Sequence, residues 1–429
     1  MSKPNRILAE PKHFEGSICI GKVTYPLGFT ASTNGLHELE LAFDVLSAES
    51  GIAVFKAFMT AGKPGEHVKW HVIAGSSEDG WSFYTDSFES HKFNLQTGTL
   101  SGTVYSSFVF SPDHESPTRL GMERWMRGFN SWDGARVETP LGIAGVESHV
   151  SNQDRQLVSA RVGITQEEFS DPIKWGIKAR EYLNYVCAGL SFIDGGWVAY
   201  PIERFSTPLG SFWRFIAVSS SPREFSPEHS LSNSEMLKAL FESYFREPVP
   251  KDNFWDAVSW MYLPTTNNEG RFLGAMTAIE FWLSLEFDAE GDFSHLSEEE
   301  FSPIFSVIFS VLKIAKVPQP MIDGAENRIR NLRQFSLKQK IVKAFERRGI
   351  SLTDISKSYL QQMITRRNTL IHEGKWLDGM DWEMVYLARE LVTRIVLHTI
   401  SFEGTYDSYL GGSGAYRRTY PSCERMVPN

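Results

Sequence analysis

Ser219-Ser220-Ser221-Pro222-Arg223-Glu224-Phe225-Ser226-Pro227-Glu228-His229-Ser230-Leu231-Ser232 divides the chain, and the pattern of hydrophobic residues changes across it. Serine side chains compete for backbone hydrogen bonds and proline lacks a donor, so a linker is expected here. On its N-terminal side the apolar residues recur with period two, in His37–Phe43, Val68–Val72 and Thr99–Phe110. That is the pattern of half-buried strands separated by Gly, Pro, Asn and Ser. On its C-terminal side the period becomes helical. The division predicts an α+β multidomain chain: a β-rich part over residues 1–222, built as an antiparallel sandwich or barrel-like sheet, followed by an all-α bundle over 251–402. Residues 223–250 form the linker and a first helix, and 403–429 a flexible tail with Gly411-Gly412-Ser413-Gly414.

Within the β-rich part, more strands are expected near Leu157–Ile164, Trp197–Tyr200 and Phe212–Val218. One helix begins at Asp171 with Pro172 in its first turn, and Ile173, Ile177, Leu183 and Val186 are expected on one face. The later helices are expected at Asn233–Phe245, Phe254–Leu263, Arg271–Phe287, Pro303–Lys316, Gly324–Gln334, Leu337–Arg348, Thr353–Ile371 and Trp382–Ile400. Ser302 before Pro303, Ser336 with Gln339, Gly349 after Arg348, and Ser351 with Asp354 supply cap signals.

The chain has 429 residues, more than one hydrophobic core usually serves. Hydrophobic residues at 42% and charged residues at 22% exclude collagen-like and disordered classes. Cys19, Cys187 and Cys423 are odd in number and far apart, which argues against a disulfide framework and a zinc site and fits a reducing cytoplasm. No signal-like or membrane-spanning apolar run appears, so no membrane partner is expected. The net charge of −9 argues against nucleic acid until it is resolved along the chain. Lys313 to Lys375 holds 14 Lys+Arg against 5 Asp+Glu, which leaves the remainder at −18. A basic segment of this kind is an electrostatic footprint for a phosphate backbone, or simply a solvated helix face.

That basic segment contains Thr365-Arg366-Arg367-Asn368-Thr369-Leu370-Ile371-His372-Glu373-Gly374, at the end of a predicted helix. With 25 Arg and 11 His in the chain, chance alone supplies roughly 0.6 pairs at the Arg367–His372 spacing, so context must carry the signal. Arg367 falls within the apolar stripe Leu360, Met363, Ile364, Leu370 and Ile371. Glu280 likewise falls on the apolar face of Leu273, Met276, Ile279 and Leu283. An isolated buried charge is costly, so an inward Arg367 and an inward Glu280 are expected to pair, structurally or as part of a site. Asn368 and His372 share a helix face, whereas Arg367 is displaced from His372 by about 140° on a regular helix. The helix distorts, the long arginine wraps, or a second subunit completes the site.

These side chains suit RNA cleavage without a metal. Histidine titrates near neutrality and can take the ribose 2′-hydroxyl proton, arginine stays protonated and can clamp the phosphate, and Asn368 can orient the backbone. Attack by the 2′-oxygen would leave a 2′,3′-cyclic phosphate and a 5′-hydroxyl. Arg366, Lys340, Lys343, Arg347 and Arg348 are the basic residues expected to guide RNA, with helix solubility as their plainer role.

The run Arg367-Asn368-Thr369-Leu370-Ile371-His372 resembles the Arg-polar-x3-His motif of the HEPN superfamily. The wider order, with a β-rich N-terminal part, a helix at Arg271-Phe272-Leu273-Gly274-Ala275-Met276-Thr277-Ala278-Ile279-Glu280 and a late Arg-Asn-x3-His-Glu-Gly, resembles the ApeA-type anti-phage defence proteins. The resemblance implies a C-terminal HEPN bundle acting as a cytoplasmic, metal-independent endoribonuclease with no cofactor, active as a homodimer or higher homo-oligomer. It would cut transfer RNA or other cellular RNA after infection and arrest growth. Arg367 and His372 would be catalytic, Asn368 the polar neighbour and Glu280 a looser correspondence. The β-rich part would sense a phage-derived trigger. Two other readings stand beside it: a non-catalytic adaptor of the same bundle type that binds RNA or protein through a ligand-binding β domain, and a carbohydrate-directed β domain using Glu123, Trp125, Trp132 and Asp133.

Overall fold

This computed structural model describes residues 8, 10–34, 38–44, 51–54, 56, 70–94, 99–112, 119–129, 134–148, 157–167, 171–220, 234–246, 254–262, 267–288, 294–330, 334–374, 382–411 and 416–425. The expected linker from 221 to 232, the glycine run after 411, and Trp132 and Asp133 lie outside the described residues. The chain forms two compact units, Met1–Glu247 and Pro248–Asn429.

The first unit contains β1 (Lys12–Ile20), β2 (Val23–Thr33), β3 (Leu39–Phe43), β4 (His71–Ser76), β5 (Ser82–Asn94), β6 (Thr99–Val104) and β7 (Ser106–Ser111). It continues with β8 (Leu120–Arg127), β9 (Ala135–Thr139), β10 (Gly142–Ser148), β11 (Val158–Gln166), α1 (Pro172–Asp194), β12 (Ala199–Thr207), β13 (Gly210–Ile216) and α2 (Ser234–Ser243). The strands make one 13-stranded sheet, ordered β3-β2-β1-β4-β5-β7-β13-β12-β8-β11-β10-β9, with β6 added to β5. Its ladders are antiparallel. Hydrogen bonding thus continues through a single sheet where a sandwich would divide it in two. The alternating stretch Thr99–Phe110 breaks at Tyr105 into two strands, and both pair with the long β5.

Alternation places Phe14, Ile18, Phe29, Ile73 and Phe83 in one core, and a bulge in β5 opposite His71–Ile73 brings Phe88 to the same face. Trp125, Ile202 and Trp213 join it from β8, β12 and β13. Each such side chain contributes about 1.5–3 kcal/mol through burial. Phe14 stacks on Phe29 at 5.4 Å, and Trp125 packs on Trp213 at 5.4 Å. The carbohydrate-directed reading is therefore corrected at Trp125, which is buried in this core and cannot present a face to a sugar.

Asp171 caps α1 by accepting the Lys174 N–H at 3.0 Å. The expected face of α1 is also corrected. Ile173 and Ile177 are 74% and 57% exposed, whereas Leu183 and Val186 are buried with Trp175, Ala179, Tyr182 and Leu190. The isoleucines lie about 80–180° around the helix from Leu183 and Val186 at 100° per residue. Buried Arg124 on β8 joins sheet to helix, donating to Glu203 at 2.9 Å and to Asn184 of α1 at 2.7 Å. A Cβ on Gly189 would lie 2.3 Å from Cδ1 of Leu240, so glycine lets α2 pack closely on α1.

The second unit contains α3 (Phe254–Ser259), continued by a 3₁₀ turn at Trp260–Tyr262, then α4 (Asn268–Asp288), α5 (Glu298–Ile314) and α6 (Gln319–Arg330). After these come α7 (Leu337–Arg348), α8 (Lys357–Glu373), α9 (Trp382–Thr399), β14 (Gly404–Ser408), β15 (Tyr416–Tyr420) and β16 (Glu424–Arg425). The centre is α4, which buries Phe272, Met276, Ile279, Trp282 and Leu283 and packs against α3, α7, α8 and α9. A Cβ on Gly274 would sit 2.4 Å from the Trp260 carbonyl oxygen, so glycine admits the 3₁₀ turn against α4. Reciprocal Ser336–Gln339 capping starts α7, and Gly349 ends it in the left-handed region at φ 67°. Ser297 and Glu300 start α5, so Pro303 lies inside that helix and Ser302 is not its cap. Ser356 starts α8 by accepting from the Tyr359 N–H, replacing the expected Ser351–Asp354 start.

The flexible-tail expectation is corrected as well. The described tail residues form the three-stranded sheet β14-β15-β16, locked by buried polar groups. Arg394 of α9 makes a two-pronged bond to Asp354, both at 2.8 Å, and donates to Glu390 at 2.8 Å. Glu390 also accepts Tyr406 Oη at 2.7 Å and Ser408 Oγ at 2.6 Å from β14. Arg418 of β15 donates to Asp354 and to the Cys423 carbonyl. By contrast, α5 packs against α6 and buries only Phe301, leaving Ile304, Val307, Val311 and Ile314 exposed. No helix among the described residues is long and apolar enough to cross a membrane.

Candidate functional site

The helical unit brings Arg367 on α8 to Glu280 on α4. Nε donates to Glu280 Oε1 and Nη2 to Oε2, each at 2.8 Å, giving the planar two-pronged geometry that suits a guanidinium and a carboxylate. The remaining terminal nitrogen, Nη1, donates to Asn368 Oδ1 at 3.2 Å. The side chains stay 22% and 35% exposed, so the pair lies at the border of the core and needs no fully dry cavity. The facing argument from sequence thus identified both partners. It works because Arg367 interrupts the apolar stripe of α8 and Glu280 that of α4, where the buried carboxylate of Glu286 is taken by Arg348.

His372 occupies the last turn of α8 and is exposed. It is hydrogen-bonded to no side chain among the described residues, and Gly374 follows as a left-handed cap at φ 64°. The helix remains α-helical from Lys357 to Glu373, and the Gly374 N–H reaches the Leu370 carbonyl at 3.1 Å. It does not distort to turn Arg367 and His372 toward each other. Arg367 instead reaches Glu280, and among the described residues it makes no contact with the His372 imidazole. The apolar stripe also ends early: Leu360, Met363 and Ile364 are buried, but Ile371 is exposed. A helix end with an exposed Ile371 beside His372 has an incomplete apolar surround.

The expected RNA guides divide by their contacts. Arg348 donates to Glu286 at 2.6 Å, Lys343 sits 3.7 Å over the Phe335 ring, and Arg347 lies 5.3 Å over Phe287. These three brace the flank of α7, which weakens the expectation that they are free to track a phosphate backbone. Arg366 and Lys340 are half-buried and also have partners.

Sequence reasoning missed the Asp354–Arg394–Glu390 centre. Burial raises the Asp354 carboxyl, but hydrogen bonding to Arg394 and the charges of Arg394 and Arg418 outweigh it and hold the group below its ordinary range. Burial would lower the Arg394 pKa, and the Asp354 hydrogen bond and Glu390 charge more than offset this, so it stays charged. The i,i+4 spacing of Glu390 and Arg394 on a largely apolar helix was the available signal.

Among the described residues, His13, Glu15 and Asp44 in the β unit are close enough together to hold a cation. His13 Nε2 is 3.0 Å from Asp44, and that hydrogen bond raises its pKa. No family model, no curated protein and no solved structure matches the chain.

Proposed function

We propose that the helical unit is a HEPN-type ribonuclease, similar to that of ApeA-type anti-phage defence proteins, acting in the cytoplasm on transfer RNA or other cellular RNA to arrest growth. The observation that carries this reading is Arg367. Glu280 and Asn368 take three of its five N–H donors and fix its orientation, leaving two for the oxygens of a scissile phosphate. His372, exposed on the same helix, supplies the base.

In the proposed step His372 removes the 2′-hydroxyl proton and the 2′-oxygen bonds to phosphorus. The P–O5′ bond breaks, and the departing oxygen takes a proton from water or from a second imidazole. Arg367 offsets the charge that grows on the phosphate oxygens. Because α8 is regular, the imidazole that works with one Arg367 belongs to a second copy of the chain. The uncovered row Ile304, Val307, Val311 and Ile314, spaced three and four apart on α5, favours such an assembly. The β unit is the proposed sensor of a phage-derived trigger.

The closed Arg367–Glu280 pair also favours a second reading, an RNA- or protein-binding adaptor without catalysis. Exposed His372 stands where a base could meet RNA, and its plainer role is a helix-terminal histidine interacting with the negative end of the α8 dipole. The test compares RNA from cells expressing the chain and its His372→Ala form. The expected result is 2′,3′-cyclic phosphate ends with the former only, equal folding of both, and cleavage that survives a chelator. Cleavage by His372→Ala excludes the assignment.

A further inference from the structure

The face of the sheet that carries Trp125 also carries a group of charged side chains around a notch in the β unit. Glu123 lies two residues before Trp125 on β8 and so shares the face that builds the core. Beyond the core, this face continues over β11, β10 and β9 with little to cover it. One row crosses four strands in register: Arg136 opposite Gly145, Gly145 opposite Gly163, and Gly163 opposite Glu123. The two central positions have no side chain, so the row forms a notch of about 300 Å³ between Arg136 and Glu123.

Strand proximity alone accounts for the glycines. A Cβ on Gly145 would lie 2.9 Å from the Ala135 carbonyl oxygen, and one on Gly163 would lie 3.0 Å from that of Met122. What matters for binding is the bare, flat floor they leave, with Ile143 beside it. On one flank Arg161 is neutralised within the cluster, at 3.0 Å from Glu123 and 2.9 Å from Glu147, and Arg204 stands 3.8 Å from Glu123. On the rim, Arg119 and Arg136 are exposed and have no ion-pair partner among the described residues. Three guanidiniums, of Arg119, Arg136 and Arg161, therefore meet the two carboxylates of Glu123 and Glu147 around one concavity, and the surplus positive charge sits where solvent reaches it. In an acidic chain with a net charge of −9, this is a local inversion of sign.

We propose that this notch binds a small organic anion, a phosphate or carboxylate carried on a flat ring, with the ring over Gly145 and Gly163 and the anionic group held by Arg119 and Arg136. Its volume suits one ring with its charged substituent and excludes a folded partner. The flat peptide floor gives the ring a stacking surface with Ile143 as its apolar edge, the guanidiniums give the anion charge-assisted hydrogen bonds, and Glu123 and Glu147 can accept from ring N–H groups.

The test is calorimetric titration of the full chain with adenosine monophosphate, inorganic phosphate and benzoate. Saturable binding of the nucleotide, tighter than that of inorganic phosphate, assigns the phosphate class; binding of benzoate with the nucleotide silent assigns the carboxylate class. In either case Arg119→Ala and Arg136→Ala, both at exposed positions, should each weaken binding by about tenfold or more, the loss of one charged partner. His372→Ala should leave it unchanged, so the result stands apart from the nuclease reading. Absence of saturable binding by all three probes, or unchanged affinity in the double Arg119→Ala, Arg136→Ala variant, overturns the proposal.

Discussion

Exchanging Glu280 and Arg367 separates a structural ion pair from a catalytic one. Glu280→Ala leaves the guanidinium without its carboxylate, and Arg367→Ala does the reverse. The pair makes two 2.8 Å bonds but retains 22% and 35% exposure, so water recovers part of the loss. Each single change should then cost about 1–2 kcal/mol, below the 3–5 of a fully buried pair. In a unit of this size that corresponds to a melting shift of roughly 2–8 °C. The double exchange Glu280→Arg, Arg367→Glu rebuilds the contact with its ends reversed and should recover most of the stability. Cleavage should not recover, because the cation then projects from α4 and no longer faces the phosphate; it should stay down by about a hundredfold or more, as for loss of one transition-state donor. Calorimetry and a fluorescent RNA cleavage assay on the four proteins supply the data. Full restoration of cleavage by the exchange would refute the reasoning and leave Arg367 as a strut.

The buried centre of the tail gives two further expectations. Arg394→Met leaves buried Glu390 without a cation and Asp354 with Arg418 alone, and should lower the stability of the helical unit by about 3–5 kcal/mol in urea unfolding; a loss below about 1 kcal/mol would contradict the burial argument. The folded-state pKa of Asp354 is depressed, so its contribution is complete above the unfolded value of about 3.9 and is lost as pH falls through the folded value. Acid titration followed by tyrosine fluorescence should therefore show weakening of this unit below about pH 4, and Asp354→Asn should flatten that dependence.

What was legible in the residues depended on how local its cause was. Helix α7 could be bounded to the residue because Ser336, Gln339 and Gly349 satisfy backbone groups within one turn of its ends. The Glu280–Arg367 contact was legible from two helical stripes interrupted by charge, although α4 also buries Glu286, which Arg348 takes. The same arithmetic was misapplied to α1, where Ile173 and Ile177 face solvent and Trp175 faces the sheet. The single 13-stranded sheet was illegible because alternation specifies which face of a strand is buried but not which strand it joins: β8 lies between β12 and β11, partners set by non-local pairing. Asp354 resembled a helix cap from its neighbours, while its actual partners Arg394 and Arg418 are 40 and 64 residues away.

The anchoring of β14 and β15 changes where this protein can be cut. Glu390 receives hydroxyl donors from Tyr406 and Ser408, and Asp354 a guanidinium from Arg418. A shortened version ending after α9 would look tidy in a domain map yet expose two acidic groups and their dry surroundings at once. Any fragment meant for solution work, crystallisation or fusion to another protein should therefore run through Arg425, with the seam placed beyond the last strand.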